Sequence, residues 1–96
     1  KTASFAIPII QNLEIDERSP QALVLTPTRE LALQIQQDFD RIGTFKKIKT
    51  LPIFGKQPFK FQKEDLKQRC HVVIGTPGRV LDHLQQQTLD PSKLNM

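Results

Sequence analysis

Two short stretches of this chain carry the same set of residues able to handle phosphate. Leu23-Val24-Leu25 is followed by Thr26-Pro27-Thr28-Arg29, and Val72-Val73-Ile74-Gly75 by Thr76-Pro77-Gly78-Arg79. Each reads as a buried strand, a Thr-Pro-x-Arg turn and the start of a helix. The threonine hydroxyl suits capping of free amides at the helix start, and proline suits the first helical position. The arginine then stands beside an N-terminus that already carries a partial positive charge. For either motif alone, capping beside a solvated arginine is the simpler reading. At matching positions in one sheet, two such helix starts favour binding of successive phosphates, which asks for charge and amides rather than base-specific groups. A third contact is open to Gly55-Lys56, where glycine permits close backbone approach.

Other chemistry is sparse. One cysteine and two histidines are too few for a convincing metal site, and His71 and His83 have no carboxylate or cysteine partner in an obvious constellation. Cys70 reads as packing, and Glu30 as a support for its helix start through the dipole. Lys60, Lys63 and Lys67 recur at near-helical spacing with Glu64 and Asp65 between them, the pattern of a solvated face. Phe5, Phe39, Phe54, Phe59 and Phe61 read as core rather than as platforms for stacked bases.

The elements that must position these residues follow from periodicity. Phe5, Ala6, Ile9, Ile10 and Leu13 mark a helix within residues 2–14, with Pro8 removing one backbone donor. Ala22 to Leu25 is a continuous apolar run, typical of a strand covered on both faces. Leu31, Ala32, Ile35, Phe39 and Ile42 share one helical face, and Gly43 supplies the stop. Ile48 to Phe54 is a poorer strand that Pro52 assigns to a sheet edge. A basic amphipathic segment follows from Phe59 to Arg69. Val72 to Ile74 is the third strand, and Val80, Leu81 and Leu84 mark a last helix that fades into Gln85-Gln86-Gln87. Short apolar strands alternating with amphipathic helices predict an α/β fold with a parallel sheet flanked by helices. In such sheets ligands bind at the carboxyl edge, where both Thr-Pro-x-Arg turns would open.

Composition sets the outer bounds. The chain has 96 residues, 38% apolar and 25% charged, which suits one small globular domain. No apolar run reaches the roughly 20 residues of a membrane span, so no membrane partner is expected. The single cysteine excludes an intramolecular disulfide framework and is compatible with a cytoplasmic location. Fourteen Lys and Arg against 10 Asp and Glu give +4, which admits a nucleic-acid partner without requiring one. The chain opens on Lys1-Thr2 beside an apolar helical stretch and stops at Leu94-Asn95-Met96 without a closing element, so a piece of a longer protein is expected.

At these residues a family resemblance emerges. Pro27-Thr28-Arg29-Glu30-Leu31-Ala32 resembles motif Ia of the DEAD-box RNA helicases, Thr76-Pro77-Gly78-Arg79 resembles their motif Ib, and Lys1-Thr2 resembles the end of motif I, the Walker A loop. Order and spacing agree over essentially the whole chain. Phe54-Gly55-Lys56-Gln57 departs from the family, many of whose members have a double glycine there. The Phe-Gly-Lys form and the stretch from Val72 to His83 are most similar to bacterial members that act on ribosomal RNA.

The resemblance implies that residues 1–96 are a single partial RecA-like (P-loop NTPase) domain, the first of its parent, running from the end of motif I through motif Ib. It implies ATP and Mg2+ as cofactors, RNA as partner, and a second RecA-like domain in the same parent. By the resemblance, Arg29, Thr76 and Arg79 contact the RNA sugar-phosphate backbone, with Thr28, Gly55 and Gly78 close by. Lys1 belongs on the ATP phosphates and Thr2 on the magnesium of Mg-ATP. No catalytic set is complete within the chain, so this piece alone is expected not to hydrolyse ATP, and its missing central strands are expected to let it dimerise non-natively. A non-catalytic nucleic-acid-binding or interaction module of the same architecture is the alternative. A nucleotide-cofactor enzyme lacks support, because no G-x-G-x-x-G follows the first strand.

Overall fold

The computed structural model describes residues 6–14, 17, 19–43, 47–55, 57–68, 70–92 and 94. Along the chain run α1 (Ala6–Gln11), β1 (Ala22–Leu25), α2 (Arg29–Ile42), β2 (Thr50–Ile53), α3 (Phe59–Leu66), β3 (Val72–Gly75) and α4 (Pro77–Gln85). The three strands form one parallel sheet in the order β1-β3-β2, as the alternation of strand and helix predicts. Pairing is in step on both sides of β3: Leu25 and Ile53 both lie opposite Gly75. The sequence-equivalent turns after β1 and β3 therefore leave the sheet at one level.

Alternation along β3 sends its side chains to two separate cores. Val72 and Ile74 pack with Ile10, Ala32, Ile35, Phe39 and Phe54 beneath α1 and α2. Val73 faces the other way, to Ile53, Cys70, Val80 and Leu89. All four residues of β3 are buried, which explains why this strand reads as apolar throughout. At β2 the edge position accommodates Pro52, since an edge strand pairs only one side of its backbone. Gly75 is required by packing: a Cβ there would meet the Ile53 carbonyl oxygen at 2.5 Å and Val80 at 2.7 Å.

Ala32, Ile35 and Phe39 form the buried stripe of α2. Gly43 closes the helix by donating its N–H to the Phe39 carbonyl at 2.8 Å. Several elements are shorter than their sequence patterns. Helix α1 ends at Gln11, where Asn12 and Leu13 turn back onto the carbonyls of Ile9 and Ile10. The basic segment is helical only to Leu66, and one expectation within it fails. Phe61 is not core but exposed, with the Lys60 ammonium 5.5 Å from its ring centre. The reason is register: α3 turns Gln62 rather than Phe61 toward the sheet. Among the described residues no helix is long and apolar enough to cross a membrane.

Candidate nucleic-acid interface

The two Thr-Pro-x-Arg turns are equivalent in the sheet but not in their helices. After β3 the helix begins at once, with Pro77 as its first residue. After β1 it begins two residues later, at Arg29. The third residue of each motif decides this. Thr28 stays extended and its hydroxyl accepts the Leu31 N–H at 3.1 Å, which makes it the helix cap. Gly78 has no side chain to cap with, so α4 starts earlier. The sequence expectation that Thr26 and Thr76 cap their helices is therefore corrected. The Thr26 hydroxyl is buried and donates to the Thr28 carbonyl at 3.0 Å, and Thr76 makes no side-chain capping bond.

This offset turns the two arginines in different directions. Arg29 is the first residue of its helix and Arg79 the third, a difference of about 200° around the axis. Arg29 is exposed, its guanidinium carbon 5.3 Å from the centre of the buried Phe54 ring. Arg79 points toward α3, with a side chain only 16% exposed. Its Nη1 donates to the Gln57 carbonyl and to Gln62 Oε1, both at 2.9 Å. Its Nε lies 3.8 Å from Asp82.

Arg29, Glu30, Phe54, Gly55 and Thr76 line one open depression of about 300 Å3 at the carboxyl edge of the sheet. Three of the six proposed backbone-contact residues, Arg29, Gly55 and Thr76, thus converge. The free amides of the α2 N-terminus and the guanidinium give the depression a positive character, which Glu30 offsets in part. A Cβ added at Gly55 or at Gly78 would meet nothing within 4 Å, so no internal packing explains glycine at either position. Both therefore leave room for a close approach from outside. Thr28 and Gly78 stand exposed at the two helix starts, whereas Arg79 does not line the depression. Lys1, Thr2 and Lys56 lie outside the described residues.

Sequence reasoning missed a buried polar cluster behind this edge. Gln62 is 2% exposed, and its amide joins Phe54, Gln57, Arg79 and His83. His83 is fully buried, stacked on Phe59 at 4.1 Å, with Nδ1 2.7 Å from the Thr88 hydroxyl. Burial, then the charge of Arg79, hold its pKa below the usual histidine value, against the opposing pull of Asp82. A glutamine on the otherwise apolar side of an amphipathic segment was the available signal. His71 is structural: its Nδ1 accepts the Lys49 N–H at 2.8 Å and ties the approach to β2 to that of β3. Burial pushes the Cys70 thiol up to about 12, which leaves it without a thiolate at neutral pH. Among the described residues no group of three or more His, Cys, Asp or Glu is gathered for a metal ion.

Residues 1–96 match the DEAD/DEAH box helicase family over their whole length. The chain is 55% identical to the ATP-dependent RNA helicase DbpA of Bacillus subtilis, covering 99% of this chain and 20% of that protein. It is 47% identical to the ATP-dependent RNA helicase DeaD of Mycobacterium tuberculosis, covering 99% of this chain and 17% of that one. Among solved structures, a DEAD box protein from the hyperthermophile Methanococcus jannaschii superposes with a TM-score of 0.92 at 37% identity, over 98% of this chain and 25% of that one. Dbp5 of S. cerevisiae, bound to RNA and ADP BeF3, superposes with a TM-score of 0.84 at 30% identity, over 98% and 23%. The chain therefore spans about a fifth of the length of the curated relatives it matches.

Proposed function

Because the chain belongs to the DEAD/DEAH box helicase family, we propose that it is the RNA-gripping part of an ATP-dependent RNA helicase. It corresponds to the stretch of the first RecA-like domain from the end of motif I through motif Ib. The observation that carries this reading is the convergence of Arg29, Gly55 and Thr76 on one depression at the carboxyl edge of a parallel sheet. A guanidinium, a hydroxyl free of capping duty and an open glycine backbone match the demands of a sugar-phosphate chain. They offer charge and donors but nothing that reads a base. Binding through them is tolerant of sequence and sensitive to salt.

In this reading Arg29 holds one phosphate, Thr76 donates to a neighbouring oxygen, and Gly55 lets the strand lie close to the backbone. Thr28 and Gly78 extend the same surface along the two helix starts, and Arg79 adds the guanidinium edge that its internal bonds leave over. Lys1 and Thr2 are assigned to the phosphates and the magnesium of Mg-ATP, whose hydrolysis supplies the energy for remodelling short duplexes. A second RecA-like domain completes that site. The Phe54-Gly55-Lys56 run and the stretch from Val72 to His83 favour ribosomal RNA as substrate.

The test is ATP hydrolysis by the intact protein with and without single-stranded RNA, in the wild type and in Arg29→Ala and Thr76→Ala. RNA should stimulate the wild type, and each variant should need about tenfold more RNA for the same stimulation. Hydrolysis indifferent to RNA would refute the reading.

A further inference from the structure

The buried cluster behind the carboxyl edge contains an amide whose hydrogen-bonding capacity is used completely. Gln62 Nε2 donates to the Phe54 carbonyl at 2.9 Å and to Gln57 Oε1 at 3.3 Å. Its Oε1 lies 2.9 Å from Arg79 Nη1 and 2.9 Å from His83 Nε2. A side-chain amide has two donors and two oxygen lone pairs, so all four are engaged. The orientation of the amide is fixed by chemistry rather than by choice. Arginine only donates and a backbone carbonyl only accepts, so a flipped amide would set donor against donor at Arg79 and acceptor against acceptor at Phe54.

These bonds pin the loop on either side of Gly55. Gln62 grips the carbonyl of Phe54, the residue before it, and Arg79 Nη1 grips the carbonyl of Gln57, two residues after it. The same Arg79 nitrogen gives its second hydrogen to Gln62. One amide thus connects the end of β2, the Gly55 loop, α3 and the start of α4. We infer that Gln62 is a positioning residue for RNA binding: it holds Arg79 and the Gly55 loop in one fixed arrangement at the carboxyl edge. This rests on the RNA-binding reading above. Gln62 is buried and touches no RNA itself; it acts through Arg79, whose Nη1 is committed inward so that the rest of the guanidinium keeps one direction.

Two measurements on the intact protein test it. In the first, single-stranded RNA affinity is measured across a range of salt for the wild type, Gln62→Met, Arg79→Ala and the double variant. Methionine keeps the length of the side chain and removes all four bonds. Gln62→Met should weaken binding by about tenfold. It should also flatten the salt dependence by about 0.7 in the log–log slope, the share of one phosphate on a single strand. The double variant should bind no worse than Arg79→Ala, because the two residues act as one unit. Additive losses, or a loss of affinity at unchanged slope, would overturn the inference and leave Gln62 as a stability residue. Unchanged binding in a folded Arg79→Ala would refute the RNA assignment of Arg79 itself, a distinct failure that removes the inference with it.

The second measurement needs no variant and survives any folding defect. Since Gln62 Oε1 must accept, His83 Nε2 must carry the proton, and the depressed pKa keeps the ring neutral at pH 7.5. Nitrogen-15 shifts of His83 in the wild type should report a protonated Nε2 and a bare Nδ1, which competes with the His83 carbonyl 3.1 Å away for the one Thr88 hydroxyl proton. A proton on Nδ1 alone would contradict the arrangement.

Discussion

Arg29 and Arg79 look interchangeable in sequence, yet the structure predicts different consequences for stability when each is lost. Replacing Arg79 by alanine removes two charge-assisted hydrogen bonds of 2.9 Å from a side chain that is mostly covered. Bonds to charged groups contribute about 1.5–3 kcal/mol each. Here the lower end applies, because Gln62 Oε1 keeps His83 as a partner and the exposed Gln57 carbonyl recovers water. The weak Asp82 pair adds little. Arg79→Ala should therefore cost about 3 kcal/mol, a shift of about 1.5 M in the urea midpoint at a slope of about 2 kcal/mol per M. Arg29→Ala removes an exposed cation–ring contact with Phe54, of about 0.5–1 kcal/mol. It also removes a positive charge from a helix N-terminus, a gain of about 0.3–1 kcal/mol. The two offset, so stability should stay within about 0.5 kcal/mol of the wild type. Both variants should lose RNA affinity. Parallel urea titrations and RNA titrations check this. Equal destabilisation by the two substitutions, or none by Arg79→Ala, would refute the inward and outward assignment.

Gly78→Ala should separate stability from function: nothing crowds its Cβ, and alanine in place of helical glycine should stabilise by about 0.5–1 kcal/mol. RNA binding should weaken all the same, as thermal melts and titrations of one preparation would reveal. Acid should destabilise the fold through His83. Its folded pKa lies below the unfolded value near 6.5, so the unfolded chain binds the proton first. Stability should be constant above about pH 7.5 and fall as pH drops through about 6.5, levelling only below the folded pKa. The wild type should lose more stability between pH 7.5 and 5.5 than His83→Asn, and equal losses would remove His83 as the cause. The isolated 96-residue chain should self-associate through the open side of β1, where Leu25 is 55% exposed. A sharp monomer in sedimentation at high concentration would contradict this.

The order of elements was legible because burial writes itself into composition. Val72 to Ile74 is apolar at every position since both faces of β3 are covered, and Pro52 announced the edge. The stripe of Ala32, Ile35 and Phe39 and the stop at Gly43 were equally plain. What stayed hidden depends on contacts between distant segments. The competition between Thr26 and Thr28 for the cap rests on a two-residue choice of backbone conformation. The inward turn of Arg79 depends on α3, 17 residues away at Gln62. A polar residue at the centre of a core cannot be told from a surface one by type alone, so only its place on the apolar side of α3 marks Gln62. Phe61 shows the converse, an aromatic that size assigned to the core and helix register sent to the surface.

The most direct test of the account is the salt dependence of single-stranded RNA binding by the intact protein, compared between the wild type and Arg29→Ala. The wild type should bind RNAs of unrelated sequence with similar affinity, falling steeply as salt rises, and Arg29→Ala should lower the log–log slope by about 0.7. Affinity that ignores salt, or a slope unchanged in the variant, would contradict a phosphate-gripping edge built on Arg29, Gly55 and Thr76.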